Sequence, residues 1–145
     1  MTAQTTALTQ VHVSAALPAT YDSAGYAALT WSKVADIDDI PEFGPEGTVN
    51  TFTPVDTAVV QKAVGSVDYG SPVFSFARNS ADAGQAILSA AMANKTSVSV
   101  RIMRPSGQKD YFSGIVSTDK RIHGGVNGFF MGSSRVDATT PIVTA

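Results

Sequence analysis

The chain has no cysteine among its 145 residues, which excludes a disulfide framework, a thiolate nucleophile and any cysteine-held metal. Charge is also scarce: Asp, Glu, Lys and Arg make up 15%, and ten bases against twelve acids leave a net charge of −2. A dedicated nucleic-acid binder carries a strong basic excess, so that class is set aside. The longest weakly apolar stretch, residues 86–93, is interrupted by Ser89 and falls far short of the roughly 20 residues that span a bilayer as a helix. Residues 1–10 contain no Lys, no Arg and no apolar block, so neither a secretory nor a transit signal is expected, and the simplest compartment is the cytoplasm.

What is present is 43% apolar residues, 12 glycines, 7 prolines and a Ser/Thr-rich texture, the composition of a β-rich globular protein. The length fits one domain, and neither a repeat nor a dividing linker is visible. Charge is unevenly laid out. Residues 1–60 hold seven acids against Lys33 alone, and residues 61–145 hold nine bases against five acids. Either the fold mixes these charges, or it leaves complementary faces that favour head-to-tail association.

Along the chain, residues 1–18 read as a flexible arm or a weakly paired edge strand. Residues 28–37 alternate Leu29, Trp31, Ala35 and Ile37 with mostly polar neighbours, as a half-buried strand does, and the Pro-, Gly- and acid-rich 38–47 ends it. Residues 71–78 predict another strand. Residues 81–93 predict one helix, with Ser80 as N-cap, Asn94 as stop, and Ala83, Ile87, Leu88, Ala91 and Met92 on its packing face. The clearest element is a hairpin, 96–104 and 109–118, turning at Pro105-Ser106-Gly107-Gln108. A last strand is expected over 129–136. Between these lies a puzzle: residues 38–69 carry Val49, Phe52, Val55, Val59, Val60 and Val64 without a sustained period. So long a stretch is usually functional; either 48–53 and 57–64 form a projecting hairpin around Pro54, or the segment packs on another chain.

Enzyme chemistry finds no support, and no cofactor is implied. The acidic run Asp36, Asp38, Asp39, Glu42 and Glu46 lacks the ligand-ligand-Gly turn of a calcium loop. His12 and His123, the only histidines, stand in neither a His-x-x-x-His nor a His-Glu arrangement. No serine occupies a Gly-x-Ser-x-Gly elbow. Residues 124–128 resemble a phosphate loop in composition only and are expected to be a turn; the aromatics are expected to pack in the core.

Four segments stand out: Phe52-Thr53-Pro54-Val55-Asp56-Thr57 in the long loop, Lys62-Ala63-Val64-Gly65-Ser66-Val67-Asp68-Tyr69-Gly70 entering a strand, Asp82-Ala83-Gly84-Gln85 opening a helix before Leu88, and a hairpin turning at Gly107 with Gly114 beyond. Together they resemble the tail tube (major tail) proteins of long-tailed bacteriophages, related to the tubes of contractile injection systems. The order of elements agrees over residues 25–136. The resemblance implies a mainly β fold, a β-sandwich or barrel with one flanking helix and a long projecting loop. The whole chain, 1–145, is then a single tail-tube domain with an arm over about 1–18 and a stacking loop over about 40–70. It further implies a structural virion protein, made in the host cytoplasm, whose hexameric rings stack head to tail into a hollow tail tube. DNA passes through that lumen without sequence-specific binding and reaches the host cell. Partners implied are the chain itself, a tape measure protein, a tail terminator, and tail tip or baseplate proteins, with no membrane anchor. Val49, Phe52, Pro54, Val55, Asp56, Val59 and Val60 would stack between rings, and Ile87, Leu88, Ala91 and Met92 would pack the helix. The alternative is a monomeric carbohydrate- or ligand-binding β-sandwich module using Trp31 or loop tyrosines as its platform.

Overall fold

The computed structural model describes residues 3–145. In chain order its elements are β1 (Gln10–Ser14), α1 (Ser23–Ala27), β2 (Ser32–Val34), β3 (Ile37–Asp39), β4 (Glu46–Phe52), β5 (Gln61–Asp68), β6 (Val73–Ala77), α2 (Ala83–Asn94), β7 (Ser97–Met103), β8 (Lys109–Ile122), β9 (Met131–Ala138) and β10 (Val143–Thr144). Seven strands lie side by side in the order β2-β1-β7-β8-β9-β6-β3, all antiparallel; β10 pairs with β8, and β4 and β5 form a separate two-stranded sheet.

Period-2 alternation explains the body. Val11 and Val13, Val98, Val100 and Ile102, Phe112 and Val116, Val136, and Phe74 and Phe76 all turn to one side and form a single buried core with Leu88 and Ala91 of α2. The opposite side of β1, β7 and β8 is also covered. Ser14, Ser99 and Ser113 are buried there; Ser99 Oγ donates to the Ala16 carbonyl at 2.8 Å, and the Ser113 hydroxyl lies 3.2 Å from that of Tyr26. Tyr26 comes from α1 and stacks on Tyr111 with ring centroids 5.1 Å apart.

The expected arm over 1–18 is corrected at its centre. Met1 and Thr2 lie outside the described residues, but residues 10–14 form an interior strand paired with both β2 and β7. The flanking helix has a companion: Asp22, accepting from the Gly25 N–H at 2.7 Å, caps the one-turn α1. The strand expected over 28–37 breaks at Asp36, whose φ of 58° turns the chain between β2 and β3. In α2 the N-cap is Asp82, not Ser80. The buried face is Gly84, Gln85, Leu88 and Ala91, with Ile87 packed at its margin; Ala83 and Met92 are exposed, Met92 by 39%.

Only Ala35 and Asp36 separate β2 from β3, yet these strands lie at opposite edges of the seven-strand path. Three Cα–Cα steps reach at most about 11 Å, so the sheet curls until its edges nearly meet, as in a barrel. The start of α2 fills the seam. Gln85 donates to the carbonyls of Ala35 (3.3 Å) and Ala77 (3.0 Å) and accepts from the Asn79 N–H (2.8 Å). Asp82 accepts from the Ala35 N–H at 3.3 Å, and Gly84 lies so close to the Lys33 backbone that a Cβ there would overlap it. Gln85→Leu keeps the volume and removes all three bonds; we expect about 2 kcal/mol lower stability, read as a lower urea midpoint with an unchanged slope.

Candidate assembly interface

β4 and β5 pair from Glu46↔Asp68 to Phe52↔Gln61, with a register shift between Gly47 and Val49, and every residue of both strands is exposed. Of the two expectations for residues 38–69, this is the projecting hairpin around Pro54; its strands cover 46–52 and 61–68 where 48–53 and 57–64 are predicted, so the second strand starts four residues later and the tip is longer. At its base the Gly44 N–H donates to the Tyr69 carbonyl at 3.1 Å, and Gly44 and Gly70 take φ of 143° and 100°, conformations that suit glycine. Cross-strand partners share a face, so Val49, Val64 and Val67 lie together with Thr51 and Lys62, while Thr48, Ser66, Asn50 and Gln61 occupy the other face with Phe52. At the tip, residues 53–60, the Ala58 N–H donates to the Pro54 carbonyl at 2.9 Å. Val55 there is fully exposed, and Val59 and Val60 are more than half exposed. All seven residues expected to stack therefore lie on this arm, with Pro54 the one that is half-buried.

A second arm was not expected. The alternation predicts a strand ending at 118, but β8 continues to Ile122, where it pairs with Met131. Phe129 and Phe130, expected to begin a strand and pack in the core, instead belong to the exposed connection, with Phe129 80% exposed; Val126 is fully exposed. Phe130 stacks on His123 at 4.6 Å. The run Ile122-His123-Gly124-Gly125-Val126-Asn127-Gly128-Phe129-Phe130 carried the signal: apolar residues around a glycine turn with no alternation to bury them. The two arms leave the body at opposite ends of β6. The first runs into Val73, which pairs with Arg135, whereas Ala77 pairs with Met131 at the root of the second.

Charge follows the same division. Among the described residues, ion pairs join Arg78 to Asp119 (2.8 Å), Arg104 to Asp110 (3.1 Å) and Arg135 to Asp137 (2.8 Å), all within the C-terminal half. The seven N-terminal carboxylates enter none of them. The first arm with its root carries Glu42, Glu46, Asp56 and Asp68 against Lys62; Lys120 and Arg121 stand on β8 just before the root of the second, where Asp119 is held by Arg78.

The residues weighed for chemistry do not converge. His12 is buried in β1 and His123 is exposed on the second arm, and no group of three or more metal-ligating side chains occurs among the described residues. Trp31 is half-buried, donates to the Tyr26 carbonyl at 3.0 Å and lies 5.0 Å beneath the Arg101 guanidinium, so it offers no open sugar platform.

Neither a protein-family model nor a curated protein sequence matches the chain. Solved structures do. A chain of the cryo-EM structure of the anti-feeding prophage (AFP) baseplate, 6-fold symmetrised, superposes with TM-score 0.71 over 100% of this chain and 97% of that one, at 9% identity. The SPP1 tail tube, from solid-state NMR and cryo-EM, gives 0.63 over 94% and 75%, at 12% identity. The phage p2 baseplate in its activated conformation gives 0.59 over 93% of this chain but 45% of that one, at 15% identity. The fold is that of tail tube and baseplate proteins. It is mainly β, as the sequence led us to expect.

One body residue is expected to make the stability of the fold depend on pH. His12 lies across from Lys33 on β2 and Arg101 on β7, its Nδ1 buried without a partner. Burial first, then Arg101 and Lys33, push its pKa down to about 4. Between pH 6.5 and about 4 the unfolded chain binds a proton there that the folded chain refuses, so this contribution to stability is full above 6.5 and is lost as pH falls. We expect His12→Gln to flatten the fall of the melting temperature across that window relative to wild type, with melting curves as the check.

Proposed function

We propose that this chain is a non-enzymatic structural subunit of a phage tail, closing into hexameric rings that stack into a hollow tube for DNA delivery to the host cell. The observation that carries the proposal is the β4–β5 arm, a two-stranded sheet exposed on both faces with its valines in solvent. A lone two-stranded hairpin is marginal in water, and exposed apolar patches of this kind mark contact surfaces. The fold likeness supports the tail setting, and the 6-fold symmetry stated for the AFP baseplate supports the ring number that the family resemblance implies. Stacking between copies of one chain is heterologous and therefore propagates along an axis.

In this reading Val49, Phe52, Pro54, Val55, Asp56, Val59 and Val60 stack one ring on the next, and ordering them on contact opposes premature polymerisation. Tape measure, terminator and tip or baseplate proteins would limit the tube, which resides in the virion. A low net charge suits the lumen, because a strongly basic wall would hold phosphate and slow the genome.

Electron microscopy of the purified protein tests this directly: rings and tubes are expected, and a persistent monomer at high concentration overturns it. Because β4 and β5 pair only with each other, deleting residues 48–60 should leave the melting temperature within about 2 °C of wild type while abolishing tubes. Tubes from the deletion variant at wild-type yield would remove the arm from the stacking contact.

A further inference from the structure

We propose that the tip of the first arm of one copy, Pro54-Val55-Asp56-Thr57, seats in the groove between α2 and the second arm of the next copy, where Asp56 pairs with Arg121. The inference rests on the polymer reading above and deepens it by naming both partners of one contact.

The groove is lined by Arg78, Asn79, Ser89, Arg121 and Phe130. Arg78 is already neutralised there, held by Asp119 at 2.8 Å and by the Ser89 hydroxyl at 3.2 Å. Arg121 is exposed and enters no ion pair among the described residues, so the groove presents one uncompensated cation. Beside it Phe130, braced by His123, is 42% exposed. The groove thus asks for one carboxylate next to one apolar side chain. The arm tip supplies that pair in adjacent residues: Val55, fully exposed, and Asp56, an unpaired carboxylate.

Geometry makes the contact intermolecular. The tip belongs to an arm rooted at the Val73 end of β6, the groove to the Ala77 end. Seven residues of β4 extend the tip about 24 Å, and their exposure shows that they do not fold back along the body. A donor at one end and an acceptor at the other form the heterologous pair that head-to-tail growth requires. Repetition around each ring multiplies a single exposed ion pair, which alone contributes little.

The test uses the full chain and exploits its lack of cysteine. Arg121→Asp and Asp56→Arg should each lower tube yield by at least about tenfold, with melting temperature retained because both side chains are exposed, and the double charge exchange should restore it. In a chain carrying Asp56→Cys and Arg121→Cys, mild oxidation should give a ladder of covalently linked copies, and neither single variant should give one. Wild-type tube yield from Arg121→Asp, failure of the double exchange to restore growth, or assembled tubes of the two-cysteine chain without a ladder each overturn this contact while leaving the polymer reading intact. Absence of rings and tubes from the wild-type chain overturns both.

Discussion

A link of two residues, Ala35 and Asp36, joins strands at opposite edges of a seven-strand path, and this short tether forces the sheet to curl. Without the start of α2 the curl would leave backbone groups of the link and of β6 facing an open slot. Gln85 and Asp82 fill it with directed bonds to Ala35 and Ala77, and Gly84 lets the helix approach the β2 backbone. β2 and β3, three residues each, end the path close together without pairing to each other, whereas the β4–β5 arm offers two longer edges to another chain.

The parts legible in the sequence are those whose alternation is enforced by burial. The β7–β8 hairpin is the clearest case, because Val98, Val100 and Ile102 and then Phe112 and Val116 face one core while the turn at 105–108 has unambiguous chemistry. The β4–β5 arm was legible only as an anomaly. Neither of its faces is covered, so Val49, Val64 and Val67 follow their cross-strand pairing and no core, and the register shift near Gly47 hides their common side. β1 did carry a period-2 signal in Val11 and Val13, but five residues set among Thr and Ala give too short a window. The one-turn α1 has no face to repeat, and only Asp22 at its start marks it. The break at Asp36 depends on a left-handed backbone that an aspartate tolerates without announcing. The second arm is hidden in the sequence because residues 124–128 form the turn that their glycines predict, while nothing in the pattern shows that Val126, Phe129 and Phe130 beside it stay in solvent instead of entering the core.

The charge layout, ambiguous in one dimension, acquires direction in three. Mixing would have shown as ion pairs between the N- and C-terminal halves, and none occurs among the described residues. Asp22 is spent on capping α1, whereas Glu42, Glu46 and Asp56 remain exposed along the first arm and its root. The C-terminal half satisfies several of its own bases, yet leaves Lys120 and Arg121 on β8 just before the root of the second arm. Unpaired acids are therefore carried beyond the Val73 end of β6, and Arg121 stands level with Phe76 near its other end, which gives the chain a polarity that a symmetric distribution would lack.

An exposed hairpin lined with valine invites indiscriminate strand addition, so its sequence has to restrict what can join it. Pro45 and Pro54 flank β4, the register shift after Gly47 breaks the regular ladder, and Glu46, Lys62 and Asp68 place charge along the two edges. A flat apolar partner would bury those charges unpaired, at a cost of several kcal/mol each by the usual desolvation penalty. A partner with a matching cation and a small apolar recess avoids that cost. The same residues that keep the arm soluble therefore narrow its acceptable partners to surfaces of complementary charge, and this chain displays such a surface at its own far end.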